Sequence, residues 1–293
     1  MPAIAVVTDS TSDLMPAQAA AAGIRVVPLF VQFGPDSYQV GVDLTTEQFW
    51  EKLLAPGAPI PSTAAPAPGT FKEVFDACFA DGADAIVCPV IGAKLSGTFQ
   101  SATLAASMLP EREIHIIDTR STSMSTGLPA LMAAELAAQG LPAAEVAAKV
   151  TERLPDIDLY VAVDTLEYLR KGGRLSAAQS VVGNILSVKP IITVRDGSVT
   201  MAERQRSRAK ARARVIELIA EHPVERLAIV HTPTSSADEV QAFKDALLAA
   251  VPGLAESAIS VGLLGASTGP HLGPDLMGAC FLSAPGSHAH ELA

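Results

Sequence analysis

The first half of the chain alternates short apolar runs with longer stretches of helical periodicity. The apolar run at 85–90 follows Asp84 and is short and continuous, which is the pattern of a buried strand. Residues 55–69 contain five prolines and are predicted to form a long loop. Strands alternating with helices indicate a largely parallel sheet covered on both faces. We predict strands at 3–8, 24–31, 85–90 and 113–117, and helices at 14–22, 45–54, 69–80, 97–108, 124–139 and 143–154.

The second half has a less regular order of elements. The run Arg195-Asp196-Gly197-Ser198 reads as a tight turn, so Val194 and Val199 should flank a hairpin. We predict strands at 159–163, 187–194, 227–231, 258–264 and 277–282, and helices at 166–170, from 176, 203–220 and 237–250. The pattern indicates an α/β fold of two domains, 1–160 with a parallel sheet and 161–293 with a mixed sheet.

Composition and charge narrow the class of protein. The chain is 49% hydrophobic and 18% charged over 293 residues, which is typical of a large packed interior. Residues 1–160 hold 8 Lys/Arg and 18 Asp/Glu, a charge of −10, whereas residues 161–293 hold 13 of each. Neither half is basic, so we expect no nucleic-acid partner.

The cysteines and the N-terminus bear on location. Cys78, Cys88 and Cys280 have no metal-ligand spacing and are odd in number, which favours buried, reduced thiols. The N-terminus lacks the basic region of a secretion signal. Two long uncharged runs, 54–71 and 257–274, are interrupted by Pro or Gly and are not predicted to span a bilayer. We therefore predict a cytoplasmic protein.

Four hydroxyl-rich segments follow predicted strands or interrupt apolar runs: 8–13, 62–63, 95–98 and 118–123. Ser, Thr and Asp favour helix N-caps, which explains three of them without any ligand. Alternatively, loops at the carboxyl ends of parallel strands line a ligand crevice. Gly97, between Ser96 and Thr98, would let backbone N–H groups approach a carboxylate or phosphate.

Two further residues lie on constrained turns. Arg174 follows Gly172-Gly173 and is either a linker residue or an anion clamp. His271 lies between two Gly-Pro steps and is either a satisfied polar residue or part of a site. The alternating basic residues from Arg204 to Arg214 are predicted to lie on one helix, as a solvated face or as a docking surface for an acidic partner or anionic lipid.

The common signatures of nucleotide-binding and hydrolytic enzymes are missing from the sequence. We find no Walker A loop, no Gly-x-Gly-x-x-Gly after the first strand, no His-Glu-x-x-His and no Gly-x-Ser-x-Gly. The remaining enzymatic alternative is a metal-dependent phosphoryl-transfer or hydrolytic activity on the Asp9–Asp13 loop. A third alternative is an interaction protein that docks through the basic run.

Several of these segments together resemble the DegV family. Val6-Val7-Thr8-Asp9-Ser10-Thr11-Ser12-Asp13 resembles the opening motif of that family. The other matching segments follow in the family's order over nearly the whole chain. They are Pro61-Ser62-Thr63, Leu95-Ser96-Gly97-Thr98-Phe99-Gln100-Ser101-Ala102, Ile117-Asp118 with Ser121–Met124, Leu166–Arg174, Lys189-Pro190-Ile191 and His271-Leu272-Gly273-Pro274.

The resemblance implies a function as well as a fold. It implies a carrier that holds one long-chain fatty acid between two α/β domains, with no cofactor and no metal. The carboxylate would contact Thr63 and Ser96, near His271, and Gly97, Thr98 and Ser121 would lie near the head group. Arg174 and His271 would serve the encounter with a separate fatty acid kinase, which forms the acyl-phosphate. The carrier itself would not be an enzyme.

One segment departs from the family pattern. The family commonly continues its threonine with Ser-Gln-Pro, whereas Thr63 is followed here by Ala64-Ala65-Pro66. The side-chain contacts of that Ser and Gln are therefore lost, while Thr63 itself is kept. A transient contact with a membrane surface is also compatible with a carrier of acyl chains.

Overall fold

The computed structural model describes residues 3–175 and 188–287. The predicted helix from Ser176 lies outside these residues. The described chain contains thirteen strands and ten α-helices. The strands are β1 Ile4–Asp9, β2 Ile24–Val27, β3 Phe30–Phe33, β4 Asp36–Gln39, β5 Ser62–Ala64, β6 Ala85–Val90, β7 Glu113–Asp118, β8 Ile157–Ala162, β9 Lys189–Arg195, β10 Ser198–Gln205, β11 Val224–His231, β12 Ile259–Leu263 and β13 Met277–Ser283. The helices are α1 Pro16–Ala21, α2 Thr46–Leu54, α3 Pro68–Ala80, α4 Thr98–Ser107, α5 Met124–Ala138, α6 Ala143–Arg153, α7 Glu167–Lys171, α8 Arg208–Ala220, α9 Ala237–Ala250 and α10 Gly269–Leu272.

The N-terminal half is built on a parallel four-stranded sheet of order β2-β1-β6-β7. Successive side chains of a strand point to opposite faces, so Ile86 and Val87 enter different cores. On one face α3 and α4 pack against Ile86 and its neighbours. On the other face α1, α5 and α6 pack against Val87. This confirms the predicted parallel sheet with helices on both faces.

The C-terminal half is built on a mixed six-stranded sheet of order β10-β9-β8-β13-β11-β12. Helices α8 and α9 cover one of its faces. The turn predicted at Arg195–Ser198 is present, because Val194 pairs with Val199 across the β9–β10 hairpin. Strand β8, which spans the predicted domain boundary near residue 160, pairs with β13 and β9 of this sheet. The division into domains at that residue stays a prediction.

A shared apolar layer joins the two halves. The uncovered face of the six-stranded sheet packs against α5, α2 and a small antiparallel sheet of order β4-β3-β5. This inter-half layer contains residues from both halves in one continuous cluster. It includes Val31, Phe49, Trp50, Met124, Leu128, Leu159, Val161, Val199, Leu264 and Cys280. The site described below lies at the polar edge of this layer.

Three local predictions are wrong. The single strand predicted at 24–31 is two strands, β2 and β3, which belong to different sheets because the chain turns at Pro28 and Leu29. The Pro-rich loop contains the short strand β5, which pairs with β3. The helix predicted at 203–220 begins only at Arg208, because β10 continues to Gln205 with alternating exposure after a bulge.

The basic residues between 204 and 214 therefore do not share one helix. Arg204 lies on β10, and Arg208 to Arg214 lie on α8. Arg208 pairs with Asp164 and Asp275, and Arg214 pairs with Glu203. Much of the charge of this run is consequently matched by carboxylates of the same chain, and exposed ion pairs of this kind add little stability.

Candidate functional site

Thr63 is positioned by the short strand β5. The antiparallel pairing of β5 with β3 places Thr63 opposite Val31. The hydroxyl of its neighbour Ser62 donates to the Oε1 atom of Gln32, which fixes the exposed face of the strand. Strand pairing leaves the Thr63 hydroxyl directed to the face opposite Ser62, since successive residues alternate. The Pro-rich segment therefore contains an ordered strand, one face of which carries the Thr63 hydroxyl.

His271 lies on the one-turn helix α10, directly before the tight turn at Gly273. Its Nε2 atom is 2.9 Å from Thr63 Oγ1, so the two halves meet at this hydrogen bond. The Nδ1 atom is enclosed and has no hydrogen-bond partner among the described residues. An N–H group in that position would be costly, so we assign the proton of the neutral ring to Nε2. Burial, together with the charge of Arg174, lowers the pKa of His271 to about 4.

Ser96 lies at the start of α4 and has two functions. Its hydroxyl oxygen is 2.9 Å from Thr98 Oγ1 and accepts a hydrogen bond from the Thr98 N–H at 3.3 Å. This is a local turn contact directly before α4, whose N-cap residue is Gly97 and makes no side-chain capping bond. Ser96 also lines the cavity described below, whereas Thr98 is fully buried. Ser96 therefore combines this turn contact with cavity lining in one side chain.

Arg174 follows a glycine pair in which Gly173 has a φ of 69°, a backbone conformation that favours glycine. Its Nε atom donates to the Leu95 carbonyl at 3.2 Å, and its Nη1 atom donates to the Gly172 carbonyl at 2.6 Å. Within residues 3–175 and 188–287, Arg174 has no carboxylate partner. Among these described residues, no acidic side chain therefore neutralises its positive charge, which is available to stabilise an arriving phosphoryl group.

These four side chains surround one cavity of about 60 Å³ between the two halves. Its lining combines apolar side chains with hydroxyl, imidazole and guanidinium groups. The lining residues are Thr11, Leu29, Thr63, Ile91, Leu95, Ser96, Thr122, Leu169, Arg174, Val199, Ser267, Thr268, His271 and Leu272. Thr63, Ser96, Arg174 and His271 come from β5, the β6–α4 loop, the turn after α7 and α10, respectively. The structure therefore brings together residues that are far apart in the sequence.

The remaining predicted site residues lie around this cavity but do not line it. Gly97 lines an outer depression of about 360 Å³, which shares Leu95, Ser96 and Arg174 with the cavity and so adjoins it. Ser121 lines a different surface groove, next to Asp118 and Arg120. Its neighbour Thr122 lines the cavity instead. The roles of these residues stay predictions.

Asp9 and Asp13 do not line the cavity, and their oxygens are occupied by internal donors. Asp9 accepts hydrogen bonds from the Thr11 N–H, the Thr11 hydroxyl and the Ile91 N–H at 2.6–2.8 Å. Burial raises the pKa of the Asp9 carboxyl. The described residues contain no group of three or more His, Cys, Asp or Glu that could hold a metal. This arrangement does not favour the metal-dependent alternative.

The sequence analysis did not identify four polar residues of the cavity. Thr11 and Thr122 lie within segments whose hydroxyl content was noticed, although neither was singled out. Ser267 and Thr268 gave no signal beyond their position just before the His271 segment. They line the cavity because the loop after β12 folds back over the N-terminal half.

No helix among residues 3–175 and 188–287 combines the length and the apolar character needed to cross a bilayer.

Comparisons with known proteins identify the family of the chain. The model of the DegV family of uncharacterised proteins matches residues 3–284. A DegV domain-containing protein of Caldanaerobacter subterraneus is 34% identical over 286 residues, covering 96% of this chain and 99% of that protein. Protein DegV of Bacillus subtilis is 30% identical over 283 residues, covering 95% and 98%.

Solved structures give the same result. A DegV family protein of Thermus thermophilus described as fatty acid binding superposes with a TM-score of 0.86 at 34% identity, covering 96% of this chain and 99% of that one. The structure of DegV, described as a fatty acid binding protein from Bacillus subtilis, gives a TM-score of 0.85 at 29% identity, covering 97% and 100%.

Proposed function

We propose that this chain, which belongs to the DegV family, is a carrier that buries the acyl chain of one long-chain fatty acid between its two halves. The carboxylate would be held by the hydroxyls of Thr63 and Ser96, and His271 would contribute through its hydrogen bond to Thr63. The observation that carries the proposal is their convergence, with Arg174, on one cavity whose other lining residues include Leu29, Ile91, Leu95, Leu169, Val199 and Leu272. An amphipathic ligand with one anionic end matches such a cavity.

The chemistry of the polar wall suits a carboxylate. If the Nε2–H of neutral His271 donates to Thr63 Oγ1, then the Thr63 hydroxyl proton is free to donate to a ligand oxygen. The Ser96 hydroxyl can donate in the same way from the start of α4. Hydrogen bonds to an ionised carboxylate contribute roughly 1.5–3 kcal/mol each. Neutral donors of this kind orient the carboxylate without removing its charge.

The acyl chain requires more room than the present cavity offers. Ligand pockets typically measure about 300–1,000 Å³, whereas this cavity measures about 60 Å³. The chain would therefore enter by displacing side chains of the inter-half layer, whose apolar residues would line it. Burial contributes about 0.8 kcal/mol per methylene, nearly the same as in a bilayer. The affinity of the carrier for the acyl chain therefore need only equal that of a bilayer, and the polar residues of the cavity orient the carboxylate.

We propose further that the bound carboxylate is presented to a separate fatty acid kinase, which would phosphorylate it with ATP. Arg174 supports this step, because its charge lies where the cavity adjoins the outer depression. An approaching phosphoryl group would be stabilised by such a cation. Arg174 and His271 would thus serve the encounter with the kinase. The reduced state of the buried cysteines is consistent with a cytoplasmic site of action.

The first test is direct. Protein purified without added lipid is extracted with organic solvent, and the extract is analysed by mass spectrometry. We expect one long-chain fatty acid per chain. A delipidated sample should rebind palmitate in a calorimetric titration. An extract without fatty acid, together with no measurable rebinding, would refute the carrier function.

The second test addresses the polar wall. Thr63→Val and Ser96→Ala should each weaken palmitate binding about 10- to 100-fold, because each removes a hydrogen bond to a charged group. Thr103→Val is the matched control, since the Thr103 hydroxyl donates only to the Phe99 carbonyl on the exposed face of α4. The proposed head-group site is wrong if the three variants bind palmitate equally.

A further inference from the structure

The loop between β12 and α10 is fixed to the N-terminal half by several hydrogen bonds. The Trp50 Nε1–H donates to the Leu264 carbonyl at 2.8 Å. The hydroxyls of Ser10 and Ser267 are 2.7 Å apart. This loop, residues 264–268, leads directly into the helix that carries His271. Its position therefore determines where the imidazole lies.

Asp13 is at the centre of these contacts. Its Oδ1 atom accepts hydrogen bonds from the Gly265 N–H at 3.2 Å and from the Thr268 hydroxyl at 3.0 Å. Its Oδ2 atom accepts from the Ser123 hydroxyl at 2.6 Å. A methyl group at Gly265 would overlap Asp13 Oδ1, so the loop backbone passes directly against the carboxylate. One side chain thus joins the loop to α5 through two oxygens.

The backbone is strained at both ends of the shortest of these bonds. Asp13 has a φ of 51° and Ser123 has a φ of 57° with a ψ of −149°. Conformations of this kind cost roughly 1–3 kcal/mol per residue and persist where the surroundings enforce them. They direct the Ser123 hydroxyl at the Asp13 carboxylate. This strain is not needed to cap α5, because the Ser123 side chain makes no capping bond.

The carboxylate is also electrostatically costly. Asp13 has no ion-pair partner among the residues that the structure describes, and it faces the like charge of Asp9. Burial raises its pKa to about 7, although its hydrogen bonds lower it. A buried, unpaired carboxylate reduces stability. The group therefore costs stability while fixing the geometry of the loop.

We propose that Asp13 is a positioning residue of the head-group site: its carboxylate fixes residues 265–268 and thereby holds the His271 imidazole against Thr63. The inference rests on the proposed function, because it concerns the same His271 and Thr63 pair. Asp13 acts only through the loop, since it does not line the cavity. The inference also gives the opening Asp9–Asp13 segment a role that needs no metal.

The test follows the titration of His271 by NMR in delipidated protein, with His271→Gln used to assign the signal. In Asp13→Ala the loop loses its acceptor, the imidazole becomes more hydrated, and the pKa of His271 should rise by at least about one unit from its value of about 4. Palmitate affinity should fall about tenfold with it. Asp13→Asn should keep both wild-type values. The side-chain carbonyl of the new asparagine can accept from the Gly265 N–H, and its amide group can donate to the Ser123 hydroxyl. The Thr268 hydroxyl can still donate to the Gly265 carbonyl 3.2 Å away.

Two further variants separate positioning from folding. Ser123→Gly removes one donor and relieves the strained φ, so it should fold and shift the His271 titration in the same direction by a smaller amount. Val150→Ala removes a fully buried methyl pair on α6, away from the loop, and should lower thermal stability without moving the titration.

An unchanged His271 titration in Asp13→Ala, or in Ser123→Gly if the first variant does not fold, overturns the positioning role. The titration is read without ligand, so this failure is distinct from failure of the carrier function. A shifted titration in a protein that never binds palmitate would support the positioning role and refute the carrier.

Discussion

Gly172→Ala tests the placement of His271 through a single added methyl group. Gly172 ends α7 with helical angles of φ −75° and ψ −5°, so alanine fits its backbone. The new methyl would lie 3.0 Å from Cε1 of the imidazole, closer still to Nδ1, and 3.1 Å from the Tyr168 carbonyl. Ordinary contacts between such atoms are about 3.5–4.0 Å. The imidazole, which is the free end of its side chain, must therefore move by about 1 Å.

The expected change in the free energy of unfolding is the difference between two opposing contributions. A 1 Å movement lengthens the 2.9 Å contact between His271 Nε2 and Thr63 Oγ1 beyond hydrogen-bond range. Overpacking typically costs about 1–3 kcal/mol. Replacing glycine by alanine at a compatible backbone position contributes about 0.4–1 kcal/mol in the opposite direction. We expect a net loss of about 1–2 kcal/mol in the free energy of unfolding, and about tenfold weaker palmitate binding.

The measurements are urea unfolding and calorimetric titration with palmitate. Gly69→Ala is the matched control, because Gly69 lies in the first turn of α3 and a methyl there meets nothing within 4 Å. This control should raise the free energy of unfolding by about 0.5–1 kcal/mol and leave binding unchanged. If Gly172→Ala behaves like Gly69→Ala in both assays, then the described contact between Gly172 and His271 is wrong.

Two further predictions concern charge. Arg174→Ala should keep palmitate affinity but lower acyl-phosphate formation at least about tenfold in an assay with ATP and a fatty acid kinase. The control is Arg170→Ala, on the exposed face of α7, which should behave as wild type. Equal rates in both variants would remove the proposed role of Arg174. The pKa of His271 is about 4 in the folded state and 6.5 in the unfolded chain, so the folded state binds fewer protons between these two pH values. The free energy of unfolding therefore falls by up to about 3 kcal/mol as the pH is lowered from 6.5 to 4. Asp13, with its pKa raised to about 7, has the opposite effect, because it weakens the fold as the pH rises from 3.8. Because His271→Gln removes the titrating imidazole, this variant should lose less stability than wild type between pH 6.5 and 4 in urea unfolding. Identical profiles of the two proteins would contradict the lowered pKa of His271.

The sequence predicted those elements whose formation depends on local pattern. Strand β6 has the predicted ends, because its continuous apolar run follows Asp84 and is closed by Gly92 shortly after Val90. Helix α2 begins after Thr45, whose hydroxyl accepts from the Gln48 N–H as a capping box. Both features depend on residues a few positions apart. The α/β class and the two kinds of sheet follow from such elements.

Elements that depend on distant partners could not be predicted in this way. The three residues of β5 form a strand only because β3 supplies the partner, and proline content alone argued for a loop. The pairing of β10 with β9 extends a strand into a run whose composition favours a helix. Local propensity is overridden in both cases by tertiary pairing.

The candidate site shows the same division. Local hydroxyl, glycine and proline patterns drew attention to Thr63, Ser96, Arg174 and His271, with a structural alternative left open for each. Their joint role at a head group came only from the resemblance to one family, because nothing local connects residues from four separate elements. The fold-back of the β12–α10 loop brings Ser267 and Thr268 to the cavity, and it depends on hydrogen bonds to Ser10 and Asp13. Such contacts between the two ends of the chain leave no mark in a sequence pattern.

The bond between Trp50 and Leu264 gives the protein an intrinsic optical probe. Trp50 is the single tryptophan of the chain, is 1% exposed, and packs against Phe49 with ring centroids 5.0 Å apart. Its indole N–H is bonded to the first residue of the loop that leads to His271. Indole emission responds to hydration and to hydrogen bonding, so entry of an acyl chain can be timed by stopped-flow fluorescence on unlabelled protein.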